Sequence, residues 1–241
     1  MTQKVAIVTG GTRGIGAAIA QAFQEADYTV AATYYGNDNA AKKFSEETGI
    51  PTYKFDVSDY GACEKSLAQI QAQIGAVDVL VNNAGITRDG FLHKTTPSQW
   101  SEVIRTNLDS VFNMSRLVID GMRARCFGRI ISISSINGLA GQMGQTNYAA
   151  AKAAIIGFSK ALAQETAAKG ITVNVIAPGY IDTEMVRAVS PEILTKITDK
   201  IPVKRLGKAE EIAAMAVFLA SNQAAFTTGA TFSVNGGQYM S

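Results

Sequence analysis

Short apolar, β-branched runs alternate with helical stretches along the whole chain, and that alternation limits the fold more than any other feature of the sequence. Val5-Ala6-Ile7-Val8-Thr9 leads into a glycine cluster and a helical stretch from about Ile15 to Glu25. A second strand is expected at Thr29–Tyr34, a helix at Ala40–Thr48 and a third strand at Pro51–Asp56. Asp59–Ile74 carries Leu67, Ile70 and Ile74 at helical spacing, and Val77-Asp78-Val79-Leu80-Val81 reads as a fourth strand. Two longer units follow, a helix Pro97–Met122 with a strand Arg129–Ser134, and a helix Tyr148–Ala168 with a strand Ile171–Ile176. Lys208–Ala220 and Thr231–Val234 supply the last helix and strand. Strands that are apolar throughout are buried on both faces, and intervening helices of this length imply parallel pairing by right-handed crossovers. The expected fold is α/β, one doubly wound domain spanning 1–241, with a seven-stranded parallel sheet and helices on both faces. The one irregular stretch of length is Gly179–Pro202, interrupted by Pro191, and insertions of that size are more often functional than idle.

Composition removes several function classes. With 47% hydrophobic and 17% charged residues the chain can bury a sizeable core, which excludes intrinsic disorder. The formal net charge of +2 advertises neither nucleic acid nor an anionic membrane as a partner. Two cysteines, Cys63 and Cys126, and a single histidine, His93, exclude a disulfide scaffold, a Cys/His metal site and most schemes with a histidine base. His93 reads as a surface residue, both thiols as buried and inert, and Trp100, Phe112 and Met114 as packing residues. The N-terminus lacks the pattern of a signal peptide, and the longest apolar run, Ile212–Ala220, is too short to span a bilayer, so a reducing cytoplasm is the expected compartment.

Thr9-Gly10-Gly11-Thr12-Arg13-Gly14-Ile15-Gly16 lies between the first strand and the first helix. Glycines let backbone N–H groups approach a pyrophosphate, and the helix N-terminus adds positive partial charge, as in Rossmann-type domains. The spacing departs from the common dinucleotide fingerprint, since Ile19 stands where the third glycine would be. The second strand ends Thr33-Tyr34-Tyr35 with no carboxylate, Asp38 coming late, and Arg13 stands in the glycine turn. With no acid to repel a 2′-phosphate and an arginine to attract it, the expected cofactor is NADPH. Asp56, followed by Val57, closes the third strand, where its carboxylate could bind an adenine amino group or cap a helix. Asn82-Asn83-Ala84-Gly85 lets backbone and cofactor pass closely after the fourth strand, though a plain turn would use the same residues.

Tyr148 and Lys152, four apart, share one helix face. A phenol has a pKa of about 10, and a nearby ammonium is expected to lower it toward the working range. Ser135 follows the strand ending Ile133-Ser134, at the carboxyl end where ligands bind in open α/β sheets, and its hydroxyl can bond a carbonyl oxygen as charge develops there. Only one of Ser134 and Ser135 can face such a site.

The glycine turn, Asn82–Gly85, the Tyr148/Lys152 pair and Pro178-Gly179, in this order, resemble the short-chain dehydrogenase/reductase family over the whole chain. The resemblance implies a catalytic set of Asn107, Ser135, Tyr148 and Lys152, with Asn107 holding a water that relays protons to Lys152. It implies cofactor contacts from Gly10, Thr12, Arg13, Gly14, Ile15, Gly16, Tyr34, Asp56, Val57, Asn83, Ala84, Gly85, Tyr148, Lys152, Pro178, Gly179, Ile181 and Thr183. Within the family the chain looks closest to reductases of 3-ketoacyl thioesters, so Asp89, Gln142, Gln145 and Tyr180 are expected beside Ser135 and Tyr148 in the substrate pocket, under a lid at about 183–205. An acyl-CoA thioester, acetoacetyl-CoA above all, is the expected substrate, with an (R)-3-hydroxyacyl product that feeds polyhydroxybutyrate synthesis. An acyl carrier protein is the alternative partner, for which Arg123, Arg125 and Arg129 could form a basic rim. Lys94, Lys196, Lys200, Lys204 and Arg205 are candidates for the CoA phosphates, a homotetramer is the expected assembly, and no metal is implied. A non-catalytic dinucleotide sensor remains the competing class.

Overall fold

The computed structural model describes residues 3–187 and 190–240. Seven strands form one sheet: β1 (Val5–Val8), β2 (Thr29–Tyr34), β3 (Thr52–Lys54), β4 (Val77–Asn82), β5 (Gly128–Ile133), β6 (Ile171–Pro178) and β7 (Thr231–Val234). Their order is β3-β2-β1-β4-β5-β6-β7, and every pairing is parallel. From β1 the chain builds outward to β3, then crosses back beside β1 and builds the other way. The reversal between β1 and β4 opens a crevice at the carboxyl ends of the strands. Thr9 N donates to the Val81 carbonyl there at 3.0 Å, so the loops after β1 and β4 lie side by side.

Helices α1 (Gly14–Glu25), α2 (Asp38–Thr48) and α10 (Ala209–Ala220) cover one face, burying Ile19, Phe23, Phe44, Ile212 and Leu219 on Ala6, Val8, Val30 and Val79. Helices α3 (Tyr60–Ile74), α5 (Ser110–Arg125) and α7 (Thr146–Thr166) cover the other, where Leu67, Ile70, Met114, Val118 and Met122 meet Ile7, Leu80 and Ile130. Truncating one such side chain to alanine is expected to destabilise the domain by about 2–5 kcal/mol. The remaining helices are α4 (Pro97–Ile104), α6 (Ile136–Ala140), α8 (Glu184–Arg187) and α9 (Pro191–Asp199).

The structure departs from the sequence reading in four places. The third strand is only Thr52–Lys54. The expected helix Pro97–Met122 is two, α4 and α5, joined by a π-helical turn at Arg105–Asp109; no proline or glycine stands there to mark it. Gly179–Pro202 is largely helical rather than irregular, because it contains α8 and α9, the latter begun by Pro191. Helix α6, directly after Ser135, was not expected. Among the described residues no helix is long and apolar enough to cross a membrane.

Candidate active site

Ser134 and Ser135 leave the end of β5 in opposite directions, as the extended backbone requires. The Ser134 hydroxyl is buried and donates to the Lys152 carbonyl at 2.7 Å, tying α7 to the sheet. Ser135 turns into the crevice. Its hydroxyl accepts from Asn137 N at 3.1 Å, capping α6, and interacts with the Tyr148 hydroxyl, drawing the phenol pKa down. Lys152 is buried one turn along α7 from Tyr148, with its ammonium 5.6 Å from the phenol ring centre and donating to the Ile133 carbonyl at 2.7 Å.

These groups titrate against expectation. Burial raises the Tyr148 pKa above its ordinary value, the Ser135 hydroxyl draws it partly back, and the Asp89 carboxylate pushes it up again. The expected lowering by Lys152 does not occur in the protein alone, because the ammonium lies beside the ring rather than at the phenol oxygen, and desolvation outweighs it. Burial brings the Lys152 ammonium itself down to about 8.

Asn107 is wholly buried in the π-helical turn. Its carbonyl oxygen accepts from Ile86 N at 2.8 Å and its amide donates to the Ile86 carbonyl at 2.9 Å. A Cβ on the intervening Gly85 would lie 3.2 Å from Asn107 Oδ1 and 3.6 Å from Lys152 Nζ, so the three residues adjoin. π-Helical turns recur at functional sites, and this one aims a polar side chain inward from a helix that packs on the core.

The glycine turn is built to approach something closely. Gly14 has φ +52°, and a Cβ on Gly16 would fall on the Gly10 carbonyl oxygen and the Asn83 amide. Helix α1 has no side-chain hydrogen bond at its N-cap, Arg13, and no acid in its first turn. Its leading N–H groups therefore lack side-chain acceptors and fit the diphosphate of a dinucleotide. Gly14 also faces Thr183 across the crevice, with 3.6 Å between a Cβ there and Thr183 Cγ2. Ile181 is buried and pairs with Gly207 in an isolated bridge.

The comparisons agree with this geometry. The family model described as enoyl-(acyl carrier protein) reductase matches residues 10–238. The acetoacetyl-CoA reductase of Shinella zoogloeoides is 62% identical over 237 residues, 98% of each chain. The acetoacetyl-CoA reductase of Paracoccus denitrificans is 60% identical over 238 residues, and the 3-oxoacyl-[acyl-carrier-protein] reductase of Escherichia coli (strain K12) 48% over 239, each again covering 98% of both chains. The chain belongs to the short-chain dehydrogenase/reductase family.

A member of the short-chain dehydrogenase/reductase family takes a nicotinamide dinucleotide, and the cofactor edge of this one carries an ion pair at Asp38. That acid comes, as expected, four residues after β2, as the first residue of α2, and Lys54 of β3 pairs with it at 2.8 Å. Asp56 is not the cap of α3. Asp59 is, accepting from Ala62 N at 3.0 Å, and Asp56 uses one oxygen to accept from Ser58 N at 2.8 Å. The Val57 carbonyl is gripped by the Asn113 amide at 3.0 Å. On the substrate side, Asn137 donates to Gln145 at 2.8 Å and Gln145 to Asp89 at 3.0 Å, a chain along the crevice mouth. Gln142 is exposed nearby in the same loop, and Tyr180 lies at the root of the Gly179–Pro202 stretch.

Other expectations need correction. Arg129 cannot belong to a basic rim, since it is buried at the start of β5, against the Phe127 ring and the Gly128 and Gly170 carbonyls. Arg125 likewise turns to Val77 and Asp78, at the end of the sheet opposite the crevice. Arg205 is engaged by both oxygens of Glu211 (2.8 and 2.7 Å), and Lys204 donates to the Asp199 carbonyl at 2.6 Å. Cys126 is exposed, not buried, because it ends α5 in the left-handed region at φ +52°. Cys63 is buried, and burial pushes its thiol up to about 12. Trp100 and Phe112 are exposed, and only Met114 of that trio is in the core. His93 is exposed and stacked on Phe91 at 6.1 Å. Of the lid at 183–205, residues 188 and 189 lie outside the described residues.

Sequence reasoning missed Thr9, Asn113, Asn137 and the structural part of Ser134. Thr9 Oγ1 accepts from both Asn83 N and Ala84 N at 3.0 Å, fixing the loop after β4. Its position at a strand end next to the glycine turn was the available signal. Asn137, two residues after Ser135, offered a signal by its place, whereas Asn113 gave none, since it lies mid-helix in α5 and its partner, the Val57 carbonyl, is 56 residues away.

Proposed function

We propose that this chain reduces acetoacetyl-CoA to (R)-3-hydroxybutanoyl-CoA with NADPH, a step that supplies polyhydroxybutyrate synthesis. The observation that carries the reading is the convergence of three groups at the carboxyl end of the sheet: Ser135, which draws the Tyr148 phenol pKa down, Tyr148 itself, and the Lys152 ammonium one helical turn on, 5.6 Å from the phenol ring centre. The choice of a CoA ester over a carrier-protein ester is supported by the higher identity to relatives named acetoacetyl-CoA reductase, 62% and 60% against 48%.

The residues divide the work as follows. Ser135 donates a hydrogen bond to the ketone oxygen and holds it beside Tyr148. A bound, reduced nicotinamide would supply a hydride for the carbonyl carbon. Tyr148, whose raised pKa keeps it protonated at neutral pH, gives its proton to the oxygen as charge develops there. Lys152, charged below about pH 8, steadies the phenolate left behind and returns a proton to it. Asn107 holds the Gly85–Ile86 backbone beside Lys152, framing the place where a water links that ammonium to solvent. The first-turn N–H groups of α1 and Arg13 would hold the cofactor phosphates, Asp56 the adenine amino group, and Ile181 and Thr183 the nicotinamide carboxamide. Asp89, Gln142, Gln145 and Tyr180 would line the acyl side. Exposed Phe112, Trp100 and Tyr60 give α3, α4 and α5 apolar surface suited to a homotetramer, and the cytoplasm is the assigned compartment.

The test is a substrate panel. The purified protein should oxidise NADPH with acetoacetyl-CoA at a kcat/KM well above that for the acetoacetyl carrier-protein thioester. A reversed order would assign it to carrier-protein chemistry, and no oxidation with either ketone would leave a dinucleotide-binding protein without this activity.

A further inference from the structure

The carboxyl ends of β2 and β3 are in register, with Tyr34 opposite Lys54, and Phe55 N donates to the Tyr34 carbonyl at 3.0 Å. Gly11 N donates to the Thr33 carbonyl at 2.9 Å, which brings the glycine turn and its exposed Arg13 onto the same edge. Arg13 has no partner among the described residues. Asp38, the first residue of α2, stands at this edge too, and the Lys54 ammonium lies 2.8 Å from each of its two oxygens. The Tyr34 hydroxyl faces the same carboxylate closely enough to help hold its pKa below the usual carboxylate range.

A bare carboxylate at the end of β2 accepts a hydrogen bond from the ribose 2′-hydroxyl of NAD and repels the 2′-phosphate of NADP. This chain has the carboxylate but covers it. Both oxygens face Lys54, and the pair is neutral as a unit. An ammonium has three donors, and two acceptors on Asp38 leave at least one for a phosphate oxygen. The pair is half exposed, with side-chain exposures of 50% and 64%. Exposed ion pairs contribute little to stability, so folding does not explain why the lysine is there.

We propose that Lys54 is a specificity-determining residue of the cofactor site. It masks Asp38 and, with Arg13, makes this edge receive a ribose 2′-phosphate in place of a free hydroxyl. The proposal rests on the NADPH reading above and adds to it a residue on a strand outside the glycine turn.

The experiment measures kcat/KM and the dissociation constant for NADPH and for NADH in the unmodified protein, Lys54→Ala, Asp38→Asn and the double variant. Lys54→Ala should lower the NADPH-to-NADH ratio by roughly tenfold or more, the scale of one charge-assisted hydrogen bond. It should do so partly by improving NADH, because the acid is uncovered. Asp38→Asn should keep or raise the ratio. The double variant should recover most of the NADPH binding lost by Lys54→Ala, since the repelling charge is gone. A preference for NADPH in the unmodified protein that Lys54→Ala leaves unchanged within about twofold would overturn the role of Lys54 and spare the cofactor reading. A preference for NADH in the unmodified protein would overturn the cofactor reading and this inference with it. Circular dichroism of each variant separates a lost fold from a changed preference.

Discussion

The Lys152 ammonium donates to the Ile133 carbonyl and sits 5.6 Å from the centre of the Tyr148 ring, so in the protein alone it serves the backbone of β5 and not the phenol oxygen. The phenol accordingly stays protonated at neutral pH, which is the form a proton donor to a forming alkoxide needs.

Replacing Tyr148 with phenylalanine removes that proton and little else. NADPH oxidation with acetoacetyl-CoA should fall by about 10²–10⁴-fold, the usual contribution of a positioned general acid. Fluorescence titration should show cofactor binding within a few fold of the original. A variant that turns over at a near-normal rate would remove Tyr148 from the mechanism.

Lys152 links pH to both rate and stability. Because burial lowers it to about 8 from 10.5, the ammonium is lost as pH rises through about 8, and kcat/KM for reduction should fall there. For stability the sign is the opposite. Between those two values the unfolded chain still holds the proton and the folded one does not, so the burden of the buried charge is full below pH 8 and fades toward 10.5. Lys152→Met should therefore gain most in melting temperature, relative to the original, at neutral pH, and the gain should shrink in alkaline buffer. A difference that stays flat with pH would contradict the buried charge.

The neighbouring serines should separate on substitution. Ser134→Ala removes the buried hydrogen bond that ties α7 to the end of β5 and should lower unfolding free energy by about 1 kcal/mol in urea titrations. Ser135→Ala removes the cap of a five-residue helix and the interaction with the Tyr148 hydroxyl, so its main effect should be on kcat. Equal loss of turnover in both, at unchanged stability, would refute the division.

Gly16→Ala should raise the KM for NADPH while leaving Ser135, Tyr148 and Lys152 in place. The added methyl falls on the Gly10 carbonyl and the Asn83 amide, and backbone on one side of that contact cannot yield cheaply. Steady-state kinetics at saturating ketone read this directly.

The doubly wound sheet was legible because the central strands are mostly apolar and β-branched, a pattern that two-sided burial explains, as the fully buried β1 and β6 show. The Tyr148/Lys152 pair was legible because a spacing of four is fixed by helix geometry. What escaped reading was set by tertiary contact. The direction of the Tyr148 shift depends on burial and on Asp89, which lies far away in sequence. Arg129 looks like a surface arginine until the Phe127 ring and two carbonyls are seen to enclose it. The pairing of Asp38 with Lys54, on the next strand, was not readable because the two are 16 residues apart.

The wide turn at Arg105–Asp109 holds one residue more than regular winding would use. It acts as a phase adjuster between two rods: α4 and α5 keep separate rotational settings, and the mismatch is absorbed where Asn107 points inward. Drift in the outer rod, around Trp100, can then proceed without compensation at Met114 or Val118, whereas losing a single residue from the junction would rotate one rod against the other and swing Asn107 away from Ile86.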